Sequence, residues 1–187
     1  MKILRTDIED VLVIEPIVFS DDRGFFLETY HKTKYQELGI PVEFVQDNLS
    51  FSVQGTLRGL HYQVKHPQAK LVQVLTGEIF DVAVDIRSGS STFGKWTGAY
   101  LSDQNKRQLF IPEGFAHGFC VISKTAHFLY KCSDFYAPED ECGIHWADSD
   151  IAIDWPEKNP IISDKDKHNL KLCDLLPKQL PSQEKNR

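Results

Sequence analysis

Residues 78 to 86 read EIFDVAVDI, and this stretch decides the fold class. Phe80, Val82, Val84 and Ile86 alternate with Ile79, Asp81, Ala83 and Asp85. Successive side chains of a β-strand point to opposite faces, so this period of two marks a full strand. LVQVLTG, residues 71 to 77, is a second strand, ending at the turn signal Thr76-Gly77. Downstream, RQLFIP, HGFCVIS and HFLYKCSDFY are further short strands, with Pro112-Glu113-Gly114 as a turn between the first two. A single convincing helix covers about His31 to Leu38, stopped by Gly39 and Pro41, while DKDKH and LCDLL suit short helical turns. Many short strands with few helices predict an all-β protein: a sandwich, a jelly roll or a small barrel. No internal repeat or interdomain linker interrupts the chain. Residues 1–187 are expected to form one domain, with PSQEKNR, residues 181–187, as a frayed tail.

Composition narrows the function classes. The chain is 41% hydrophobic and 26% charged, which suits a globular protein with a substantial core. A net charge of −6 disfavours nucleic acid as a partner, because phosphate backbones want a basic face. An anionic small molecule stays open wherever Arg and Lys converge. The N-terminal MKILRTDIEDVLVIEP carries charges inside its apolar stretch, unlike a signal peptide. No run approaches the roughly 18 apolar residues of a membrane span. Cys120, Cys132, Cys142 and Cys173 form no C-x-x-C pair, so reduced thiols and a cytoplasmic location are expected.

Candidate chemistry starts in TLRGLHYQ, residues 56 to 63, where a strand carries Arg58 and His61 three residues apart. Gly59 can host a bulge that turns both to one side; otherwise these are ordinary polar residues of a surface strand. Lys70 heads the LVQVL strand and alone suits a solvated end. PEGFAHGF, residues 112 to 119, is expected to be a turn presenting His117. Tyr130 shares a strand face with Phe128 and Cys132; it fits either a core position or that of a proton donor, since a phenol stays protonated at neutral pH. Arg23 and Glu28 flank the aromatic pair of DDRGFFLETY, and Asp164 and Asp166 surround Lys165. Both segments, taken alone, suit solvated loops.

LRGLHYQ, KLVQVLTGEIFDVAVDIR, STFGKW, NKRQLFIPEGFAHGF, FLYK and SDKD, together with FVQDNLS and DDRGFFLETY, resemble the dTDP-4-dehydrorhamnose 3,5-epimerases, a family of the cupin superfamily. The similarity runs in order from about Val11 to Asp166. It implies a double-stranded β-helix, or cupin-type jelly roll, with a few short helices. It also implies a homodimer, no metal, no cofactor, and a dTDP-linked 4-keto-6-deoxyhexose as substrate. Epimerisation beside a ketone needs a base, a group to hold the enolate oxygen and an acid on the other face. The resemblance assigns these roles to His61, oriented by Asp166, to Lys70 and to Tyr130. It carries substrate contacts to Arg23, Phe26, Glu28, Gln46, Asp47, Asn48, Arg58, His117, Tyr136, Glu141 and Lys165. Arg23 and Arg58 suit the diphosphate, and Phe26 and Tyr136 suit stacking on thymine.

Two rivals are weighed on the same residues. Metal-dependent cupins share glycines like Gly55 and Gly77 and histidines like His61 and His117. Here, however, Gln63 stands where a second histidine ligand belongs, and Lys70 fills the slot of the acidic ligand. A cation there repels a divalent metal. A noncatalytic sugar-nucleotide binder needs no histidine–carboxylate pair facing a tyrosine and a lysine. Within the family, epimerisation at C3 or C5 alone, or action on a related dTDP-keto sugar, is a further alternative.

Overall fold

The computed structural model describes residues 1–182 of the chain. In chain order the elements are β1 (Lys2–Arg5), β2 (Leu12–Glu15), β3 (Val18–Asp21), β4 (Gly24–Leu27), helix α1 (Lys32–Glu37), β5 (Gln46–Val53), β6 (Leu57–Gln63), β7 (Lys70–Thr76), β8 (Glu78–Asp85), β9 (Trp96–Ser102), β10 (Gln108–Ile111), β11 (Phe115–Val121), β12 (Thr125–Cys132), β13 (Glu141–Gly143) and helix α2 (Asp164–Lys167). Short 3₁₀ turns lie at Pro138–Asp140, Leu172–Asp174 and Pro177–Gln179. Among the described residues no helix is long and apolar enough to cross a membrane.

Two antiparallel sheets make the body. A six-stranded sheet has the order β1-β2-β10-β7-β12-β5, and a five-stranded sheet has the order β13-β6-β11-β8-β9. Side chains from both meet in one buried cluster: Val13, Val72, Val74, Leu109, Ile111, Ala126 and Phe128 from the first, and Ile79, Ala83, Leu101, Phe115, Phe119 and Val121 from the second. The expected jelly-roll class is thus observed, with strands that switch sheets at corners. Thr76-Gly77 is one such corner, since β7 and β8 lie in different sheets. Pro112-Glu113-Gly114 is another, joining β10 to β11 across the sandwich, so neither turn closes a hairpin.

Strand β8 is buried on both faces, which explains its apolar character throughout. Ile79 and Ala83 face the sheet–sheet core. Phe80, Val82, Val84 and Ile86 face outward under a C-terminal cover that includes Ile144, Ile151, Trp155 and Leu172. Asp85, the last residue of β8, is buried. Burial alone would raise its pKa, but the Arg87 fork and the Ser90 and Thr92 hydroxyls hold it at about 2. On the other sheet, α1 packs Tyr35 beside Leu12, Ile14, Leu71 and Phe110. His31 caps this helix and Gly39 follows its end at φ +85°, close to the bounds expected from sequence.

Some sequence expectations need correction. HFLYKCSDFY stops being a strand at Cys132, where Asp134 folds back on the Phe135 N–H. His117 lies inside β11 and is buried, not presented by a turn. Pro181 is buried and its carbonyl accepts from the Ser88 N–H at 2.8 Å, so this residue is not part of a frayed tail. Residues 183–187 lie outside the described residues.

Strand β6 carries the feature that positions the site. Phe119 faces Arg58 and His117 faces His61, so three residue steps on β6 oppose two on β11. The extra residue shifts the alternation. Leu57, Leu60 and Tyr62 consequently pack outward, while Arg58, His61 and Gln63 all line the interior. Gly59, at φ +123°, occupies the shift, and a Cβ there would lie 2.6 Å from the Gly118 Cα and 2.7 Å from the His117 carbonyl oxygen. Gly59→Ala is therefore expected to lower stability by at least about 2 kcal/mol. Urea unfolding followed by circular dichroism measures this; wild-type stability in the variant would contradict the close-approach account.

Candidate active site

One end of the space between the sheets is filled by the apolar core, and the other holds a cavity of about 390 Å³. Arg58, His61 and Gln63 on β6, with His117 and Phe119 on β11, form one wall. Gln46, Asn48 and Ser50 on β5, Lys70 on β7, and Phe128, Tyr130 and Cys132 on β12 form the other. Gln68, Tyr136 and Glu141 also contribute to the lining. Alternation accounts for each inward position: Lys70 shares a strand face with Val72 and Val74, and Tyr130 with Phe128.

His61 and Asp166 are 105 residues apart in sequence, yet His61 Nε2 and Asp166 Oδ1 lie 2.6 Å apart. The chain after β13 returns alongside β6, with the Leu57 N–H donating to the Ile161 carbonyl and the Ile161 N–H to the Gly55 carbonyl. Ser163 then caps α2 by accepting from the Asp166 N–H, which fixes the aspartate side chain against β6. Its second oxygen accepts from the Gly59 N–H at 3.3 Å. Burial would raise the Asp166 pKa, but the hydrogen bond and charge of His61, helped by Gly59, bring it below the ordinary carboxylate value. An ionised carboxylate only accepts, so Nε2 of a neutral His61 carries the proton and Nδ1 keeps its lone pair.

Burial shapes the remaining ionisable groups. It pulls the Lys70 ammonium below its usual pKa, against the raising influence of Cys132, Asp81 and Glu141. It pushes the Tyr130 phenol up, with Cys132 adding to the rise and Arg58 opposing it. Asp81 sits on the inward face of β8 with His117 Nε2 3.0 Å from its Oδ1. Burial raises the Asp81 carboxyl and lowers the His117 imidazole despite their mutual attraction. Perturbed groups of this kind gathered in one cavity mark a functional site. Among the described residues, no group of three or more His, Cys, Asp or Glu side chains could hold a metal ion.

The other sequence candidates divide into two sets. Arg58 donates to Ser52 at 3.1 Å, Gln46 donates to Asn48 at 3.0 Å and accepts from the Tyr136 N–H, and Glu141 accepts from the Tyr136 hydroxyl at 2.6 Å. Lys165 pairs with Glu141 and lines a second opening shared with Arg58, His61 and Asp166. Asp47 turns outward on β5 and pairs with Lys131, because it alternates with Gln46 and Asn48. Arg23 and Phe26 lie on the exposed β3–β4 hairpin, apart from the cavity, where Arg23 pairs with Asp21. Glu28 pairs with Lys34. Sequence reasoning passed over Asp81 and Ser50. An acidic residue between apolar neighbours on β8 was the available signal for Asp81; nothing local marks Ser50.

Comparison with known proteins bears on this arrangement. Residues 5–174 match the family described as dTDP-4-dehydrorhamnose 3,5-epimerase. The enzyme of that name from Shigella flexneri is 56% identical over 93% of this chain and 97% of its own. A dTDP-4-dehydrorhamnose 3-epimerase from Streptomyces niveus is 42% identical over 93% of this chain and 85% of its own. The crystal structure of the Legionella pneumophila 3,5-epimerase in complex with dTDP-4-keto-L-rhamnose superposes with a TM-score of 0.96 at 51% identity, covering 98% of this chain and 99% of that one. With matches at that identity along nearly its whole length, the chain belongs to the dTDP-4-dehydrorhamnose 3,5-epimerase family.

Proposed function

We propose that the protein converts dTDP-4-dehydro-6-deoxy-D-glucose to dTDP-4-dehydro-L-rhamnose by inversion at C3 and C5, a step of dTDP-L-rhamnose synthesis. The observation that carries the reading is the opposition of a carboxylate-paired His61 on one wall to Tyr130 and Lys70 on the other. Both reacting carbons flank the C4 ketone, so their protons are acidic. His61 removes one, the C–H electrons form the enolate, and Lys70 compensates its developing charge. Tyr130 returns a proton from the opposite face, which inverts the centre. Only protons are exchanged, so no redox cofactor is consumed. Asp166 fixes the histidine tautomer and steadies the imidazolium that forms.

Arg58 is proposed to hold the diphosphate, with Gln46, Asn48, Tyr136, His117, Glu141 and Lys165 as further substrate contacts. Asp47 has a weaker claim, since it faces away from the cavity in its own chain. A homodimer gives Arg23, Phe26 and Glu28 a role. The strands of the β3–β4 hairpin expose Phe19, Phe25 and Phe26 at 62%, 57% and 68%, an apolar surface that a second copy would cover while the hairpin delivers these residues to the partner's cavity. The free cysteines fit a cytoplasmic enzyme.

Incubation with the keto sugar in D2O, followed by NMR, tests the reaction. Exchange is expected at both C3–H and C5–H; exchange at C3 alone would place the enzyme with the 3-epimerases, and none at all would refute the reading. His61→Ala should abolish exchange, and Asp166→Asn should slow it by roughly 100-fold or more. Tyr130→Phe should permit wash-in while impairing inversion.

The lowered pKa of Lys70 sets an alkaline limit. The charged form is lost as pH rises, so kcat/KM should fall at a pH below the free lysine value of about 10.4. Lys70→Arg, which stays charged, should work more slowly but lack this limb in its pH profile. A limb unchanged in that variant would remove Lys70 from the role.

Light scattering should give twice the mass of one chain. A monomer that retains full activity would end the proposal that the hairpin serves a partner.

A further inference from the structure

Four polar side chains of β5 face inward in succession, and three of them have partners. Gln46 and Asn48 bond each other, Asn48 Nδ2 also lies 3.7 Å from the Cys132 sulfur, and Ser52 accepts from Arg58. Ser50 differs. It lines the cavity, yet its hydroxyl is buried with no hydrogen-bond partner among the described residues. Its direct neighbour across the ladder is Phe128, which offers none. A buried hydroxyl without a partner costs stability, and such groups in native folds call for a reason.

The position of Ser50 supplies one. Along β5 it lies between Asn48, which is paired across the ladder with Tyr130, and Ser52, which holds Arg58. Resting on the function proposed above, the reacting carbons lie by Tyr130 and the diphosphate by Arg58. In a hexose, C2 joins C3 to the phosphate-bearing C1, so its hydroxyl falls between those two ends. We propose that Ser50 is a substrate-binding and specificity residue whose hydroxyl, turned about its Cα–Cβ bond, hydrogen-bonds the sugar 2-hydroxyl. The fold leaves this group unpaired so that the ligand completes it. Sites built to pair a substrate hydroxyl discriminate against analogues lacking it.

Calorimetric binding of dTDP-glucose and of dTDP-2-deoxyglucose, two unreactive probes, tests the contact on wild type and Ser50→Ala. The variant is expected to bind dTDP-glucose roughly 5- to 50-fold more weakly, as for one lost buried hydrogen bond, and the 2-deoxy analogue unchanged. Its melting temperature should equal or exceed that of wild type, because a hydroxyl without a partner has been removed. Equal affinities of both proteins for dTDP-glucose, or an equal loss for both ligands, would overturn the assignment. A lowered melting temperature with unchanged affinity would show a structural role instead. If wild type binds neither probe, the substrate class itself is wrong; if it binds and only the variant pattern fails, the error lies with Ser50.

Discussion

The site depends on one extra residue in β6. A strand facing two apolar layers cannot choose which side its polar groups take once its register is fixed. Leu57 commits the start of β6 to the outer cluster, and strict alternation would then turn His61 to the same outer side. The step at Gly59 inverts the phase, so Leu60 and Tyr62 still pack outward while Arg58 and His61 both face the cavity. Gly118 on the neighbouring strand allows the approach, because a Cβ there would stand 2.8 Å from the Arg58 carbonyl oxygen. Two glycines in contact thus decide where a guanidinium and an imidazole point. The Gly59 N–H freed at this step also donates to Asp166, so the same irregularity helps hold the carboxylate that engages His61.

Burial then does the electrostatic work. Lys70, Asp81, His117 and Tyr130 all have their charged forms disfavoured, and in each case burial is the largest cause. Asp166 departs from this trend because His61 at 2.6 Å, the Gly59 N–H and Ser163 together outweigh its burial. The cavity therefore separates its groups by environment. The carboxyls of Asp166 and Glu141 are held below the ordinary value by their partners, while that of Asp81, paired with His117, is raised by burial. A poorly solvated cation facing a polar cavity is suited to charge that appears during reaction, since few water dipoles must reorganise when it does.

How much of this was legible in the sequence follows from the range of each interaction. EIFDVAVDI declared its strand because both of its faces are buried and the pattern needs no partner to be seen. The helix after His31 was similarly local, bounded by a cap and by Gly39. Strands β1 to β4 carry weak signals, being only four residues each with β3 and β4 exposed almost throughout, and β5 inverts the usual pattern by turning Gln46, Asn48 and Ser50 inward and Leu49, Phe51 and Val53 outward. His117 was misplaced on a turn because the glycines and proline of PEGFAHGF mark a corner three residues before it. Local composition cannot tell a corner between sheets from a hairpin. Asp166 looked like solvated loop charge in SDKD, and its burial comes from chain 105 residues away. Only the family resemblance connected it to His61.

The division of roles between the two sheets follows from the sandwich itself. An epimerase must reach both faces of a planar enolate, so its base and acid cannot stand on one surface. In a two-layer β fold the interior is bounded by two surfaces whose side chains point toward each other. His61 and Asp166 belong to the five-stranded side; Tyr130 and Lys70 lie on the adjacent strands β12 and β7 of the six-stranded side. A sugar ring held between them presents its planar enolate to a proposed base on one face and a proposed acid on the other. The apolar core at the far end keeps the layers at fixed separation, so the packing that makes the fold stable also sets the spacing across which protons are exchanged.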